Sequence, residues 1–137
     1  MNQKVEGKNT NLNDYQLVTK IILNFNPNGL FQLNDYIIAL YNYKLIKFYS
    51  KNDFHFMFQI EEYLFKDIKF CKKYKKDSII VYAGDFLYFV LIVENREYRI
   101  LNYLKITADY YAFNSSLDFL AFRRIKKKNH YMILNII

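Results

Sequence analysis

Between Ser78 and Val93 the chain reads SIIVYAGDFLYFVLIV, a run whose single charge, Asp85, stands beside a glycine, Gly84. A stretch this apolar must be buried on every side, which leaves a bilayer or the middle of a protein. A membrane helix needs about 20 mainly apolar residues to cross the hydrocarbon, more than this run supplies. As a helix it would also hold Asp85 at mid-bilayer, at a cost of about 2.5–3.5 kcal/mol on an insertion scale. Two strands meet neither difficulty. SIIVYA and FLYFVLIV are rich in β-branched and aromatic side chains, and Gly-Asp makes a tight reversal between them. The run is therefore predicted to be a β-hairpin buried on both faces, with no membrane span.

The same pattern occurs upstream. DYIIALYNYKLIKFYS, residues 35–50, places an apolar run, a turn at Asn42-Tyr43 and a second apolar run. Setting Asp35 on Asp77, 42 positions later, brings Ile37-Ile38 onto Ile79-Ile80 and Leu45 onto Leu87. A third copy begins at Asp118 with DFLAFRR, and its return strand is HYMILNII after a longer basic turn. Flanking strands complete each copy. FHFMFQI (54–60) follows the first hairpin and EYRILNYLKI (97–106) the second; LFKDIKFC (64–71) precedes the second and DYYAFNS (109–115) the third. The predicted unit is four strands, a–b–c–d, recurring every 40–45 residues or so, the signature of a propeller blade. Helical periodicity is weak throughout.

On these residues the chain resembles a WD40-repeat β-propeller over about Tyr15 to Ile137. The match is to pattern, because Phe48-Tyr49 and Ile92-Val93 stand where the Trp-Asp dipeptides would fall, and the Gly-His of the d–a loop is absent. YQLVTKIIL and the stretch AGDFLYFVLIVENREYRILNYLKITADYYAFNSSLDFLAF are most similar to the first propeller of transducin-β-like WD40 subunits of the small-subunit processome (U3 snoRNP). The resemblance implies an all-β fold: a partial WD40-like β-propeller of about three four-stranded blades, at 24–60, 61–106 and 107–137. It also implies a polar tail over 1–14, a ring-closing strand at 16–23, and a turn at NPNG (26–29) leading into strand a, LFQL. Three blades do not close a ring, so the expected segment is the N-terminal part of a larger one, completed by further chain or by a partner. The implied function is a non-catalytic scaffold for protein–protein assembly in a nucleolar ribosome-biogenesis particle that processes pre-rRNA. Two alternatives come from other classes: an RNA- or phosphoinositide-binding β module acting through basic loops, and a small dimeric β-sandwich.

A net charge of +7 and a pI near 9.3 favour an acidic partner such as RNA. The abundance of Lys, Asn, Ile, Tyr and Phe is equally what AT-rich coding sequence produces, so those counts carry no functional weight alone. One cysteine, Cys71, excludes an internal disulfide framework and suits a reducing, intracellular compartment. MNQKVEGKNTNLNDY lacks the apolar core of a secretory signal.

Two basic clusters are the candidate contacts for RNA or another acidic partner: Lys72, Lys73, Tyr74, Lys75 and Lys76, then Arg123, Arg124, Lys126, Lys127 and Lys128. Their Lys and Arg would neutralise phosphates and Tyr74 would stack on a base; the competing reading is that loops are simply solvated. The first cluster is predicted as an a–b loop and the second as a b–c loop. Successive turns of a meander lie at opposite ends, so the two are not expected to form one groove. FRRI (122–125) is similar to the Phe-Arg-Arg-Gly motif of phosphoinositide-binding propellers, with Ile125 in place of the glycine.

Asp35, Asp77 and Asp118 are read as turn formers rather than acid–base pairs, and Glu61-Glu62 as a solvated loop. His55 and His130 are read as isolated, with no ligand partner at metal spacing. Neither catalytic nor cofactor-binding nor metal-ligating residues are predicted, and no small-molecule substrate is expected. Alternating aromatics such as Phe54, Phe56 and Phe58 are assigned to packing between sheets.

Overall fold

Ser78–Val93 folds as a hairpin, with strands at Ser78–Ala83 and Phe86–Val93 joined at Gly84-Asp85. Gly84 has φ +59°, the left-handed conformation that a two-residue hairpin turn needs at its first position. The computed structural model describes residues 20, 23–114, 119–123 and 131–135. Among these the chain is all-β, in three antiparallel sheets. The first contains β1 (Gly29–Asn34), β2 (Ile37–Tyr41), β3 (Ile46–Ser50) and β4 (Phe56–Ile60). The second contains β5 (Ile68–Lys73), β6 (Ser78–Ala83), β7 (Phe86–Val93) and β8 (Glu97–Lys105). The third contains β9 (Tyr110–Phe113), β10 (Phe119–Arg123) and β11 (Tyr131–Asn135). Each sheet is a meander in chain order.

The second sheet is the middle layer, which explains its uninterrupted apolar sequence. Every residue of β6 is buried. Ile79, Val81 and Ala83 alternate onto one face with Tyr88 and Val90, where they meet Ile37, Ala39, Ile46 and Phe48 of the first sheet. Ile80, Tyr82 and Leu87 take the other face and meet Leu120 and Phe122 of the third. At about 1.5–3 kcal/mol for each large apolar side chain fully removed from water, these two interfaces dominate the stability. The two buried polar residues among the described ones, Asn42 and Ser78, both close turns. The Asn42 Oδ1 accepts from the amides of Lys44 and Leu45, each at 2.9 Å, and the Ser78 hydroxyl bonds the Lys75 amide and carbonyl at 3.0 and 3.1 Å.

The first interval of the repeat is 41 residues, not 42, and so equals the interval from Asp77 to Asp118. The Tyr36 carbonyl accepts from the Lys51 amide at 2.7 Å just as the Asp77 carbonyl accepts from Ile92 at 2.7 Å, so Tyr36 and not Asp35 corresponds to Asp77. At the other end, Asn42 bonds Leu45 across the hairpin tip where Ala83 pairs with Phe86, so Leu45 corresponds to Phe86, not Leu87. One residue matters because a slip of one moves every side chain of a strand to the opposite face. With the 41-residue repeat, Ile37 and Ala39 occupy the places of Ser78 and Ile80. The face by which the first sheet meets the second is then the same face by which the second meets the third. The stack is head-to-tail.

β4, β8 and β9 are one to three residues shorter than expected, at Phe56–Ile60, Glu97–Lys105 and Tyr110–Phe113, and β5 is displaced along the chain. β5 begins at Ile68 rather than Leu64, because Phe65 turns into the core, its ring 4.9 Å from that of Tyr88, and the chain bends at Asp67 with φ +59°. β5 then extends through Lys73, so Lys72 and Lys73 are strand residues and not part of the a–b loop. The tail over 1–14, the strand expected at 16–23 apart from Lys20 and Leu23, Asp118, and the turn holding Arg124 and Lys126–Lys128 lie outside the described residues, as does His130.

Candidate functional site

The first basic cluster sits at the end of the second sheet, and its members do different things. Lys72 pairs with Ile80 and Lys73 with Ile79 in the β5–β6 ladder. The Tyr74 amide donates to the Ser78 carbonyl at 2.9 Å, which leaves 75–77 as the turn itself, with Asp77 at φ +56°. Lys72 is half-buried and holds its ammonium 4.9 Å above the Phe113 ring of β9, tying the second sheet to the third. The Tyr74 ring packs edge-on against Phe89 at 5.5 Å and lies under the Lys75 ammonium at 5.1 Å. Exposed cationic side chains in this cluster are thus Lys73, Lys75 and Lys76.

Arg123 ends β10 and pairs with Tyr110 at the start of β9, over whose ring its guanidinium lies at 4.9 Å. Tyr111 of β9 donates its hydroxyl to the Lys69 carbonyl at 3.0 Å, and Phe113 lies under Lys72, so β9 and β5 run in the same direction. Arg123 is therefore at the end of the stack opposite Lys73. The described parts of the two basic clusters are not brought together.

The other polar pair is one that sequence spacing leaves unmarked. His55 is not isolated: its Nδ1 lies 2.6 Å from Asp53 Oδ1, which also accepts from the His55 amide at 3.3 Å. Phe54, at φ +59°, folds the chain so that the two side chains meet. The hydrogen bond from His55 holds the Asp53 carboxyl below its ordinary range. Both side chains are exposed in the turn before β4, and the arrangement stabilises that turn. Cys71 is buried, and burial pushes its thiol well above the usual range, so it is not an activated nucleophile. Among the described residues no group of three or more His, Cys, Asp or Glu could hold a metal ion. No helix among them is long and apolar enough to cross a membrane.

The third sheet carries the other notable surface. Its inward face, Leu120 and Phe122, is buried against the second sheet, while Tyr110, Phe119 and Ile133 are exposed on its outward face. An open groove of about 400 Å³ is lined by Tyr110, Tyr111, Ala112, Ala121, Phe122 and Arg123. The sequence signals for this surface, alternating aromatics and short apolar side chains, are the same ones that mark the buried faces, which is why the residues alone do not single it out.

Among the described residues the fold is all-β, three antiparallel sheets packed on one another. No family model matches the sequence, and no curated protein is similar to it.

Proposed function

We propose that the chain is a non-catalytic scaffold, a WD40-like β-propeller segment that works by presenting sheet faces and turns to protein partners. The observation that carries this reading is the head-to-tail stacking. Because each sheet uses one face to meet the sheet before it and the other to meet the sheet after it, the arrangement can be continued sheet by sheet, as it is from blade to blade around a ring. Three layers are one more than a β-sandwich has, and the middle one is buried on both sides. The placement in a ribosome-biogenesis particle rests on the sequence resemblance, and the basic surface suits a partner assembly that contains RNA.

A second reading, direct RNA binding through the basic turn, is favoured by the exposure of Lys73, Lys75 and Lys76. The two are separated by titrating the chain, and its Lys73→Glu/Lys75→Glu/Lys76→Glu variant, against a uniform single-stranded RNA at several salt concentrations. Lys72 is left intact because it packs on Phe113. The scaffold predicts weak, non-specific affinity, about 10⁻⁴–10⁻⁶ M, with a salt slope that falls by roughly 0.7 for each phosphate contact removed. Submicromolar binding abolished by the triple change would overturn the scaffold reading in favour of RNA recognition.

A further inference from the structure

Asn28 and Gly29 form the single Asn-Gly pair of the sequence. Asn28 is exposed at a bend just before β1 begins, and its amide donates to the Tyr41 carbonyl at 2.7 Å. Gly29 is the ladder partner of Tyr41 and lies under that ring, where a Cβ would stand 2.5 Å from the phenol oxygen. The fold therefore requires a glycine at 29. The same requirement leaves the Gly29 nitrogen with no side chain to shield it from the carboxamide of Asn28.

We propose that Asn28 is a deamidation site, and that its conversion to isoaspartate releases β1 from Tyr41. The Gly29 nitrogen attacks Asn28 Cγ and loses its proton, the Cγ–Nδ2 bond breaks, and ammonia leaves a cyclic imide behind. Solvent water, the sole co-reactant, then adds to either carbonyl of that ring. Addition at Cγ breaks its bond to the Gly29 nitrogen and restores the ordinary main chain, with aspartate in place of Asn28. Addition at the main-chain carbonyl breaks the other bond and leaves isoaspartate, joined to Gly29 through Cγ. A neutral carboxamide becomes a carboxylate in both products.

Isoaspartate also adds a carbon to the main chain between the Asn28 amide and Gly29. The bond to the Tyr41 carbonyl and the place of Gly29 under the Tyr41 ring are held by consecutive residues, so the lengthened chain cannot keep both. Tyr41 belongs to the core shared by the first and second sheets, which carries a change at the surface to that interface. Asn34, Asn42 and Asn102 differ from Asn28 in two respects. Each engages its Oδ1 with main-chain amides, those of Tyr36, of Lys44 and Leu45, and of Tyr103. Asp35, Tyr43 and Tyr103 follow them, and the side chain of each screens the nitrogen that would attack.

The site is independent of the scaffold reading, because it concerns one strand whatever the sheets bind. The test ages the full chain and its Asn28→Gln variant in neutral buffer, beside a free peptide of residues 24–32. Each is followed by peptide mass mapping and by labelling with an isoaspartyl methyltransferase. Asn28 should convert about tenfold or more faster than Asn34, Asn42 or Asn102, with isoaspartate at that position. Hydrogen exchange of the β1 and β2 amides should rise in the aged chain and stay unchanged in aged Asn28→Gln. An Asn28 that stays intact while the free peptide converts overturns the proposal, because the native ladder then protects it. So does conversion to aspartate alone, conversion with no change in β1 and β2 exchange, or an equal rise in exchange in Asn28→Gln.

Discussion

Gly29 lies beneath the Tyr41 ring, so close that a Cβ on it would stand 2.5 Å from the phenol oxygen and 2.6 Å from Cζ. The two are partners across the β1–β2 ladder. The equivalent pair in the second sheet is Phe70 and Tyr82, whose rings lie 5.6 Å apart at 46°. One sheet fills this corner with two tilted aromatics, the other with an aromatic laid on bare backbone. Gly29→Ala should therefore displace a buried ring and cost about 1–3 kcal/mol. Tyr41→Leu should also destabilise by itself, yet the double variant should lose less than the sum, because the clash is gone. Denaturant unfolding of the four proteins measures this, and strict additivity would show that the close approach is not what makes Gly29 necessary.

Ile79 and Ile80 are neighbours, chemically identical and fully buried, but they face different sheets. Truncating either to Ala should cost about 2–5 kcal/mol. The distribution of the damage should differ. Ile79→Ala should raise amide exchange in β1–β4, and Ile80→Ala in β9–β11, since each loosens the interface it belongs to. The same exchange pattern from both variants would contradict the assignment of Ile79 and Ile80 to opposite faces of the middle sheet.

That register is also where sequence reasoning reaches its limit. The hairpin of 78–93 is legible because a run of this length with one charge beside a glycine has few other uses, and the flanking strands are legible from their alternation. Which residue of one copy matches which of the next is not, because both faces of the middle sheet are apolar. Ile79 and Ile80 satisfy a 41- or a 42-residue repeat equally well by composition, and only the backbone bonds of Tyr36 and Asp77 decide it. The Asp53–His55 contact is hidden for another reason: it depends on a positive φ at Phe54, which no side-chain preference announces. Lys72 looks like its lysine neighbours in sequence and is set apart only by the ring of Phe113, far along the chain.

The turn joining β7 to β8 holds two residues in left-handed conformation, Glu94 at φ +51° and Asn95 at φ +56°. Asparagine tolerates this and glutamate does not favour it. The exposed contact of Glu94 with Arg96, 4.0 Å long, contributes little in return. Glu94→Asn and Asn95→Gly should each stabilise the turn by relieving the left-handed penalty, while Gly84→Ala, at φ +59°, should do the reverse. Thermal unfolding of the three variants checks the signs; destabilisation by Asn95→Gly would mean that the asparagine side chain, and not backbone strain, holds the turn.

Tyr41 and Tyr82 give the fold an alkaline limit. Burial, the main cause, raises the titration of both phenols above the ordinary 10.0, and for Tyr82 the nearby Asp85 and Asp109 charges add to it. In the unfolded chain these tyrosines lose their protons near 10, while in the folded protein they keep them to higher pH. Above that point the unfolded state binds fewer protons, so stability is constant below pH 10 as far as these groups are concerned and falls as pH rises beyond it. Denaturant midpoints measured across this range should fall together with the appearance of phenolate absorbance. Tyr82→Phe should shallow the fall, having removed one of the groups responsible. Below pH 10 the same change should cost about 0.5–1.5 kcal/mol for the lost bond to the Ile106 carbonyl. A slope unchanged by Tyr82→Phe would place the alkaline limit elsewhere, and would mean that the interface between the second and third sheets opens before Tyr82 ionises.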